Sequence, residues 1–378
     1  MAKHAPQTGV LGVSGYAGME LARLLLHHPR LISREPVFFG RDSEPMPLTD
    51  LHPQLAGNNG SGSLLVEPFS WERVKERGVE LIFMATPHEQ SRSWVPEALS
   101  HGLRVIDLSA AWRLQHSRNR AIYNFEDADE SAAGQVQASS IYGLPELHRE
   151  QIRTARVVAN PGCYATSVIL ALKPLVSAGW VDLERGIVCD SKSGVSGAGK
   201  APTPNTHFMH AADNLSAYAV FGHRHMGEIT EQLGISEEEI IFTPHLLPIP
   251  RGILSTIYLT FREKKHAAEV ESLFREFYAQ SPMVRIFGSK TAAGGSKASA
   301  EGSKTAAQSK GGGHGSEILP QIQHSVRTNY CDIGFRLAKD GRRCIVVSCL
   351  DNLLKGAAGQ AVENMNLMYG WDEAEGLA

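Results

Sequence analysis

The segment TGVLGVSGYAGMELARLLLHH, residues 8–28, constrains the fold of this chain more than any other feature. Its pattern predicts a strand, a glycine-rich turn and a helix. Three regularly spaced glycines let the backbone turn tightly and approach a pyrophosphate, whose charge the helix N-terminus would receive. The spacing is GxxGxxG rather than GxGxxG, so a glycine-rich turn without a ligand is the alternative. The candidate cofactor-binding residues here are Gly12, Ser14, Gly15, Tyr16 and Gly18.

Further strand and helix patterns follow in alternation and extend this unit into a sheet. Short apolar runs at 36–39, 80–86 and 103–109 predict strands, and a helix is expected through 94–100. Repeated strand–helix units imply a Rossmann-type, doubly wound parallel sheet with ligands at the carboxyl ends of its strands. Three residues at two of these ends either line a cofactor cleft or simply pack in loops: Thr86, Pro87 and Ser109.

The end of the 36–39 strand bears on the choice of nicotinamide cofactor. A chain that binds NAD is expected to place Asp or Glu there for the ribose hydroxyls. Here GRDS, residues 40–43, supplies Arg41 and Ser43, which suit the 2′-phosphate of NADP, although Asp42 lies between them. The sequence therefore favours NADP.

A second strand–turn–helix unit, VVANPGCYATSVILALKP at 157–174, carries a cysteine at its hinge. Asn160, Pro161 and Gly162 form a turn in which a helix cannot continue, and apolar residues recur at helical spacing after Cys163. At a helix N-terminus the free N–H groups and the dipole favour an anion, so a lowered thiol pKa and a thiolate nucleophile are expected. The alternative is a buried structural cysteine.

The pattern changes after Cys163. Strands are predicted around 186–194, 253–262, 329–337 and 344–350, with a helix near 266–280. This order indicates an α+β domain with a mostly antiparallel sheet. We therefore expect a nucleotide-binding domain over 1–162, joined by an amphipathic helix within 351–378, and a catalytic domain over 163–350.

Residues 288–316 differ from the rest of the chain. The tripeptide GSK recurs at 288, 295 and 302 in a stretch of Gly, Ser, Ala and Lys that has no aromatic residue. Such a composition cannot bury enough surface to offset its ordering entropy, so a disordered insertion is expected. A weak anion- or partner-binding role of its lysines is the alternative.

Composition argues against several classes of function. A net charge of −3 gives no electrostatic case for nucleic acid or an anionic membrane. The N-terminus lacks an apolar signal segment, and no run approaches the ~20 apolar residues of a membrane span. Five scattered cysteines show no metal-ligand spacing and suggest a reducing compartment, so no metal site and a cytoplasmic location are expected.

A thiolate near a nicotinamide cofactor suggests attack on an activated acyl carbon, loss of phosphate and reduction of the thioester to an aldehyde. FGHRHMGEI, residues 221–229, offers His223 and His225 as acid/base groups with Glu228 to orient them. A solvated turn with incidental histidines is the alternative. Arginine can bind phosphate or carboxylate bidentately, and it equally forms surface salt bridges. The candidate substrate-binding residues are Arg113, Asn160 and Arg251.

Stretches spread over nearly the whole chain carry a resemblance to a known family. They include GVSGYAG (12–18), DLSAAWRL (107–114), YGLPEL (142–147), ANPGCYATS (159–167), GHRHMGEI (222–229) and PHLLPIPRGILST (244–256). The chain resembles the N-acetyl-γ-glutamyl-phosphate reductases of the semialdehyde-dehydrogenase superfamily, and Asn-Pro-Gly-Cys-Tyr-Ala-Thr is the most specific match. Ser167 stands where Gly or Ala is more usual in that family.

The resemblance implies NADPH-dependent reduction of N-acetyl-γ-glutamyl phosphate to N-acetylglutamate 5-semialdehyde and phosphate, in arginine biosynthesis, with Cys163 forming the thioester. It also implies an acid/base histidine in the GHRH segment, where we favour His223, and a homo-oligomer, a tetramer or dimer, formed through the second domain. Rival interpretations are the same chemistry on aspartyl phosphate or on a carrier-linked aminoadipyl phosphate of lysine biosynthesis. A third rival, an NADP-binding sensor without activity, is disfavoured because Cys163, both histidines and Glu228 are present.

Overall fold

The structure is a computed structural model, and it describes residues 5–56, 64–288 and 314–377. These residues form two eight-stranded sheets with helices packed against them. Residues 289–313, which make up most of the predicted insertion, lie outside the described residues. Within the described ranges, no helix is long and apolar enough to cross a membrane.

The first sheet has the order β3-β4-β2-β1-β5-β6-β8-β7. Its strands are β1 (Thr8–Leu11), β2 (Val37–Gly40), β3 (Met46–Pro47), β4 (Leu65–Pro68), β5 (Leu81–Met84), β6 (Arg104–Asp107), β7 (Ile141–Tyr142) and β8 (Val157–Ala159). Neighbouring strands are parallel except β3 and β4, which pair antiparallel. The predicted Rossmann-type sheet is confirmed.

Helices cover both faces of this sheet, which explains why its central strands are apolar at every position. The helices are α1 (Tyr16–Leu26), α2 (Leu48–Leu51), α3 (Trp71–Glu76), α4 (His88–Ser100), α5 (Ser117–Arg120), α6 (Glu130–Ser139) and α7 (Pro145–Thr154). Along β5, Phe83 belongs to the cluster on one face, whereas Ile82 and Met84 belong to the cluster on the other. Successive side chains alternate between faces, so a strand buried on both sides needs a continuous apolar run.

The second sheet has the order β10-β11-β9-β12-β16-β15-β13, with β14 also paired to β15. Its strands are β9 (Ile187–Gly194), β10 (Ser216–Ala217), β11 (Ile240–Leu247), β12 (Ile253–Thr260), β13 (Val284–Phe287), β14 (His314–Gly315), β15 (Cys331–Leu337) and β16 (Arg343–Leu350). All pairs are antiparallel except β9 with β11 and β13 with β15. The predicted α+β region with a mostly antiparallel sheet is confirmed.

One face of the second sheet packs against helices and forms a continuous apolar core. The helices of this region are α8 (Cys163–Ser177), α9 (Phe208–Ala211), α10 (Met226–Leu233), α11 (Ala267–Phe277) and α12 (Ile322–Ser325). The other face is partly open. There Ile241, Val188, Tyr258 and Ile345 form a cross-strand row over β11, β9, β12 and β16, and their exposed fractions are 37–44%.

The chain returns to the first sheet after β16. A π-helix over Leu354–Ala358 leads into α13 (Gly359–Met368), which lies against α1 and α7. Val362 and Met365 of α13 share an apolar cluster with Leu21 of α1 and Ile152 of α7. The domain boundaries at 162 and 350 stay a prediction, whereas this packing is observed.

Candidate active site

Cys163 is the first residue of α8, directly after the turn that follows β8. Its predicted position at a helix start is confirmed. Gly162 is the N-cap and makes no side-chain hydrogen bond to the helix, so the first N–H groups of α8 face the site without a side-chain cap. Cys163 is half-buried, whereas the other four cysteines are buried, and all five are free thiols.

Two cavities meet at Cys163. The first, which we call the glycine-turn cleft, lies along the turn before α1 and has a volume of about 340 Å³. The second, the histidine cavity, lies beside the second sheet and has a volume of about 370 Å³. Both fall in the range of small-molecule sites. The residues that line both are Cys163, Gly197, Arg224 and His225.

The glycine-turn cleft collects most of the predicted cofactor-binding residues. Those that line it are Gly15, Tyr16, Gly18, Thr86, Pro87 and Ser109. Gly12 has φ +85°, and a side chain there would overlap the carbonyl of Ala85, so the turn needs glycine. Gly15 caps α1 without a side-chain hydrogen bond, and Lys200 donates to the carbonyl of Ser14 at 3.2 Å. This cradle of backbone and one cation fits a dinucleotide pyrophosphate.

The predicted NADP-specific residues lie elsewhere. Arg41 and Ser43 are exposed after β2 and do not line the glycine-turn cleft. A guanidinium N–H of Arg41 donates to Gln90 at 3.4 Å. The structure therefore places Arg41 at the carboxyl end of β2, where the sequence put it, but outside the cleft itself.

The expectation of a lowered thiol pKa at Cys163 is not supported by this structure. Burial is the largest influence and raises the pKa of the Cys163 thiol. The Tyr164 backbone N–H and the charges of Arg113 and Arg224 act in the opposite direction but are outweighed. Desolvation opposes the charged form of the thiol, and the helix N-terminus favours it. A thiol with a raised pKa needs a base before it can act as a nucleophile.

His225 is the histidine that faces both cavities. Its ring packs on Gly162, since a Cβ atom added at Gly162 would lie 2.5 Å from His225 Nε2. Burial, with the nearby charges, lowers the pKa of His225 well below its ordinary value, so the ring is neutral near pH 7. Its Nδ1 is buried and has no hydrogen-bond partner among the described residues. A neutral, unpartnered ring nitrogen can accept a proton.

His223 has a different position. It lines the histidine cavity but not the glycine-turn cleft. Its Nδ1 accepts a hydrogen bond from the backbone N–H of His225 at 3.2 Å, which leaves the ring proton on Nε2. Burial lowers the pKa of His223 to about 4, and the charge of Arg224 acts in the same direction. At neutral pH His223 is therefore a neutral hydrogen-bond donor.

Glu228 does not orient a histidine through a hydrogen bond, which corrects the expected pairing. Its carboxylate lies 4.0 Å from His225 Nε2, too far for a hydrogen bond. Instead it is fully buried and accepts from Arg113 at 3.1 Å, the Tyr142 hydroxyl at 2.7 Å and the Gly162 N–H at 2.9 Å. Through Gly162, Glu228 positions the turn that carries Cys163.

The predicted substrate-binding residues have most of their polar groups committed within the protein. Arg113 lines the glycine-turn cleft, but its guanidinium donates to Glu228 and to the carbonyls of Asn160 and Leu108. The Asn160 amide donates to the Ala357 carbonyl and accepts from Asn364. Arg251 pairs with Glu20 and Asp351 and lines neither cavity. Asn160 and Arg251 therefore join distant segments of the fold through these hydrogen bonds and ion pairs.

Three functional candidates were missed by the sequence analysis. Arg224, between the two histidines, lines both cavities, and Lys200 lies at the glycine turn. Gly356 of the π-helix touches Cys163. A signal existed for the first two, because Arg224 lies within GHRH and Lys200 ends the glycine-rich run SGVSGAGK. No local sequence pattern links Gly356 to Cys163, since the two residues are 193 positions apart in the chain.

The π-helix is anchored by a buried ion cluster. Lys355 is completely buried and donates to Glu146 and Glu363, each at 2.7 Å. Burial by itself would lower the pKa of Lys355, but these two carboxylates raise it, so the lysine is charged. π-Helical turns are frequent at functional sites. Here the turn holds Gly356 against Cys163. In the described part of the chain no cluster of potential metal ligands occurs.

Comparisons with known proteins match this architecture. The semialdehyde dehydrogenase NAD binding domain matches residues 7–155, and the semialdehyde dehydrogenase dimerisation domain matches residues 163–352. Proteins named N-acetyl-gamma-glutamyl-phosphate reductase are similar over nearly the full chain. That of Desulfotalea psychrophila is 40% identical, covering 97% of this chain and 96% of its own. That of Methanocella arvoryzae is 38% identical, covering 98% and 97%.

Solved structures show the same fold at low sequence identity. Aspartate semialdehyde dehydrogenase II of Vibrio cholerae, complexed with ASA, has a TM-score of 0.65 at 17% identity and covers 97% of this chain and 98% of its own. Aspartate semialdehyde dehydrogenase of Candida albicans, solved with NADP, has a TM-score of 0.63 at 14% identity, with coverages of 97% and 98%.

Proposed function

Because this chain belongs to the semialdehyde dehydrogenases and, within them, to the N-acetyl-γ-glutamyl-phosphate reductases, we propose that Cys163 attacks the acyl phosphate and His225 moves the proton. The chain is an oxidoreductase of arginine biosynthesis that uses a nicotinamide cofactor and a small-molecule acyl-phosphate substrate. The observation that carries the residue roles is the junction of two cavities at Cys163.

The proposed reaction begins when the Cys163 sulfur attacks the acyl carbon and the thiol proton passes to His225. The C–O bond to the phosphoryl group breaks, phosphate leaves with the bonding electrons, and a thioester to Cys163 remains. A reduced nicotinamide cofactor, when bound in the glycine-turn cleft, supplies the hydride that brings the thioester carbon to the aldehyde level. The C–S bond then breaks, and His225 returns the proton to sulfur.

His225 rather than His223 is our choice for the acid/base group, which departs from the preference drawn from sequence. His225 lines both cavities beside Cys163 and is neutral at pH 7, as a base must be before it accepts a proton. His223 lines only the histidine cavity, where its Nε2 proton is available to a substrate carbonyl or carboxylate. We assign it to substrate binding.

The cofactor in this proposal is NADP, held with its pyrophosphate at the N-terminus of α1. The residues that would hold it are Gly12, Ser14, Gly15, Tyr16 and Gly18 in the turn, and Thr86, Pro87 and Ser109 in the cleft wall. Lys200 adds a cation at the turn. Arg41 and Ser43, exposed after β2, are in the place where a 2′-phosphate is bound in such folds.

A homo-oligomer formed through the open face of the second sheet is also part of the proposal. The cross-strand row Ile241, Val188, Tyr258 and Ile345 exposes apolar side chains on four adjacent strands. A contiguous apolar surface of this kind is typical of an interface. The matched family description is a dimerisation domain over these same strands.

Five free thiols fit the expected cytoplasmic location.

One assay tests the proposed function. Purified protein is given N-acetylglutamate 5-semialdehyde and inorganic phosphate, and reduction of NADP is compared with reduction of NAD. We expect phosphate-dependent reduction with NADP preferred, and at least a 10³-fold lower rate for Cys163→Ser because the hydroxyl is a far weaker nucleophile. Activity on aspartate semialdehyde alone would contradict the substrate assignment. Substantial activity in Cys163→Ser would contradict the covalent mechanism.

The carrier-linked alternative needs a surface that receives an acidic carrier, and the lysines of 288–316 are the candidate for it. Residues 289–313 lie outside the described residues, so the structure adds nothing to that support. The relatives that match nearly the full chain carry the N-acetyl-gamma-glutamyl-phosphate name. We therefore propose the free acyl phosphate as the substrate.

A further inference from the structure

Arg224 lies at the candidate active site but has no role in the proposed mechanism. It lies between two buried histidines, while its own side chain is exposed. Its backbone carbonyl accepts a hydrogen bond from the Tyr123 hydroxyl at 3.2 Å, which fixes this part of the turn before α10. It is one of four residues that line both cavities, together with Cys163, Gly197 and His225. Arg224 thus lies where the two cavities meet at Cys163.

The charge of Arg224 is not balanced by the walls of the site. Among the described residues that line the histidine cavity there is no Asp or Glu, and Arg224 is the only Lys or Arg. The two histidines do not add positive charge, because burial lowers the pKa of both. An arginine that lines a cavity without acidic residues can bind an anionic ligand that enters from solution.

The other cations of the glycine-turn cleft are engaged differently. Arg113 donates to Glu228 and to two backbone carbonyls. Lys200 lies on the Ser14 carbonyl, beside the glycine turn where a cofactor pyrophosphate would bind. Arg224 is therefore the cation of this site that is available to the substrate.

An acyl phosphate of N-acetylglutamate carries two anionic groups, and their distances from the reacting carbon differ. The phosphoryl group is bonded, through oxygen, to the carbon that Cys163 attacks, whereas the α-carboxylate is attached three carbons further along. Arg224 lies at the junction next to Cys163, and the first N–H groups of α8 face the same place. Neutral hydrogen-bonding groups line the rest of the histidine cavity, namely Ser193, Thr203, Asn205, Thr206, Ser216 and Tyr218.

We infer that Arg224 binds the phosphoryl group of the acyl phosphate and, in the reverse direction, inorganic phosphate. This inference rests on the proposed function. When the C–O bond breaks, negative charge accumulates on the leaving phosphate. A guanidinium already in place stabilises that charge without rearrangement. The α-carboxylate and the acetamido group are then bound by the neutral residues of the histidine cavity.

The reverse reaction separates the two anions, because aldehyde and phosphate are added as independent substrates. We expect Arg224→Gln to raise the KM for phosphate roughly 10- to 100-fold, the loss typical of a charged hydrogen-bonded contact. The KM for N-acetylglutamate 5-semialdehyde should stay within about twofold. Arg224→Lys should fall between, because an ammonium retains the charge but not the bidentate geometry. The matched control is Arg118→Gln, an exposed arginine on α5 that lines neither cavity.

A second measurement does not depend on turnover. Inorganic phosphate should protect Cys163 of the wild-type protein from alkylation by iodoacetamide, and should protect Arg224→Gln at least tenfold less. A phosphate KM and protection that match the wild type would overturn the inference. A rise confined to the aldehyde KM would overturn it too, and would assign Arg224 to the α-carboxylate. Inactivity of the wild type on N-acetylglutamate 5-semialdehyde would instead contradict the proposed function, while phosphate protection would still test Arg224.

Discussion

Gly356 of the π-helix packs directly on Cys163: a Cβ atom added at Gly356 would lie 2.7 Å from the Cβ of Cys163. This contact joins the segment after β16 to the first turn of α8. Asp351 reinforces it, because its carbonyl accepts the Gly356 N–H at 2.9 Å. The proposed nucleophile is therefore positioned from two sides, by the Glu228–Gly162 hydrogen bond and by the π-helix.

Gly356→Ala is expected to lower kcat roughly 100-fold, because a displacement of about 1 Å at a reacting atom has that effect. The matched control is Gly134→Ala in α6, where an added Cβ meets no atom within 4 Å. That variant should keep wild-type kinetics. Steady-state kinetics of the two variants provide the comparison. Equal kcat values would show that the contact with Gly356 does not fix the position of Cys163.

His225→Asn should lower kcat by roughly 10²- to 10⁴-fold, the usual contribution of an acid/base group. His223→Asn should lose less and should mainly raise the KM for substrate. Since the base must be unprotonated and the pKa of His225 is lowered by burial, wild-type activity should persist at pH 6 and fall only at lower pH. The pH–rate profiles check this. A larger kcat loss in His223→Asn would reverse the assignment.

The alkylation rate of Cys163 should rise with pH to a midpoint above that of an ordinary thiol, because burial raises its pKa in the unliganded protein. Labelling with iodoacetamide across pH 6–10 measures this midpoint. Cys163→Ser provides the blank, since burial raises the pKa of Cys189, Cys331 and Cys344 to about 12. A midpoint below pH 7 would show that the helix N-terminus outweighs desolvation after all.

Lys355→Met should destabilise the fold by about 3–5 kcal/mol, because it leaves two buried carboxylates, Glu146 and Glu363, without their cation. Urea unfolding followed by circular dichroism gives the free energy. Lys339→Met, at an exposed position after β15, is the control and should change it by less than about 0.5 kcal/mol. A loss below about 1 kcal/mol for Lys355→Met would mean that the carboxylates take up protons at little cost.

Val188→Glu should dissociate the proposed oligomer, because it places a charge in the centre of the apolar row, opposite Ile241 and Tyr258. Light scattering after size-exclusion chromatography measures the mass. Ile318→Glu is the control, since Ile318 is also exposed, at 60%, but lies outside the row. An unchanged mass for Val188→Glu would remove this face as the interface.

Local patterns were sufficient for the elements that hold the site. Pro161 and Gly162 prevent helix before Cys163, and the apolar spacing after it requires helix, so the hinge could be predicted from 18 residues. The glycine spacing likewise marks Gly12, whose φ of +85° favours glycine. Such features depend on neighbours in the chain, and their physical cause is present in the sequence itself.

The roles of the charged residues could not be predicted in this way. Arg113, Arg224 and Arg251 are the same residue type, yet one pairs with buried Glu228, one lines both cavities and one joins Glu20 to Asp351. Which carboxylate reaches a guanidinium depends on packing between distant segments. The pKa of the Cys163 thiol depends on the same kind of long-range packing, since a helix N-terminus is local and desolvation is not.

The sequence by itself determined a Rossmann-type sheet, a mostly antiparallel second sheet, and a cysteine at a helix start with two histidines downstream. The tertiary structure decided that His225 faces both cavities, that Glu228 supports the turn rather than a histidine, and that Gly356 restrains Cys163. Backbone preferences and apolar periodicity act between near neighbours, whereas burial and charge pairing depend on which remote segments the fold brings together.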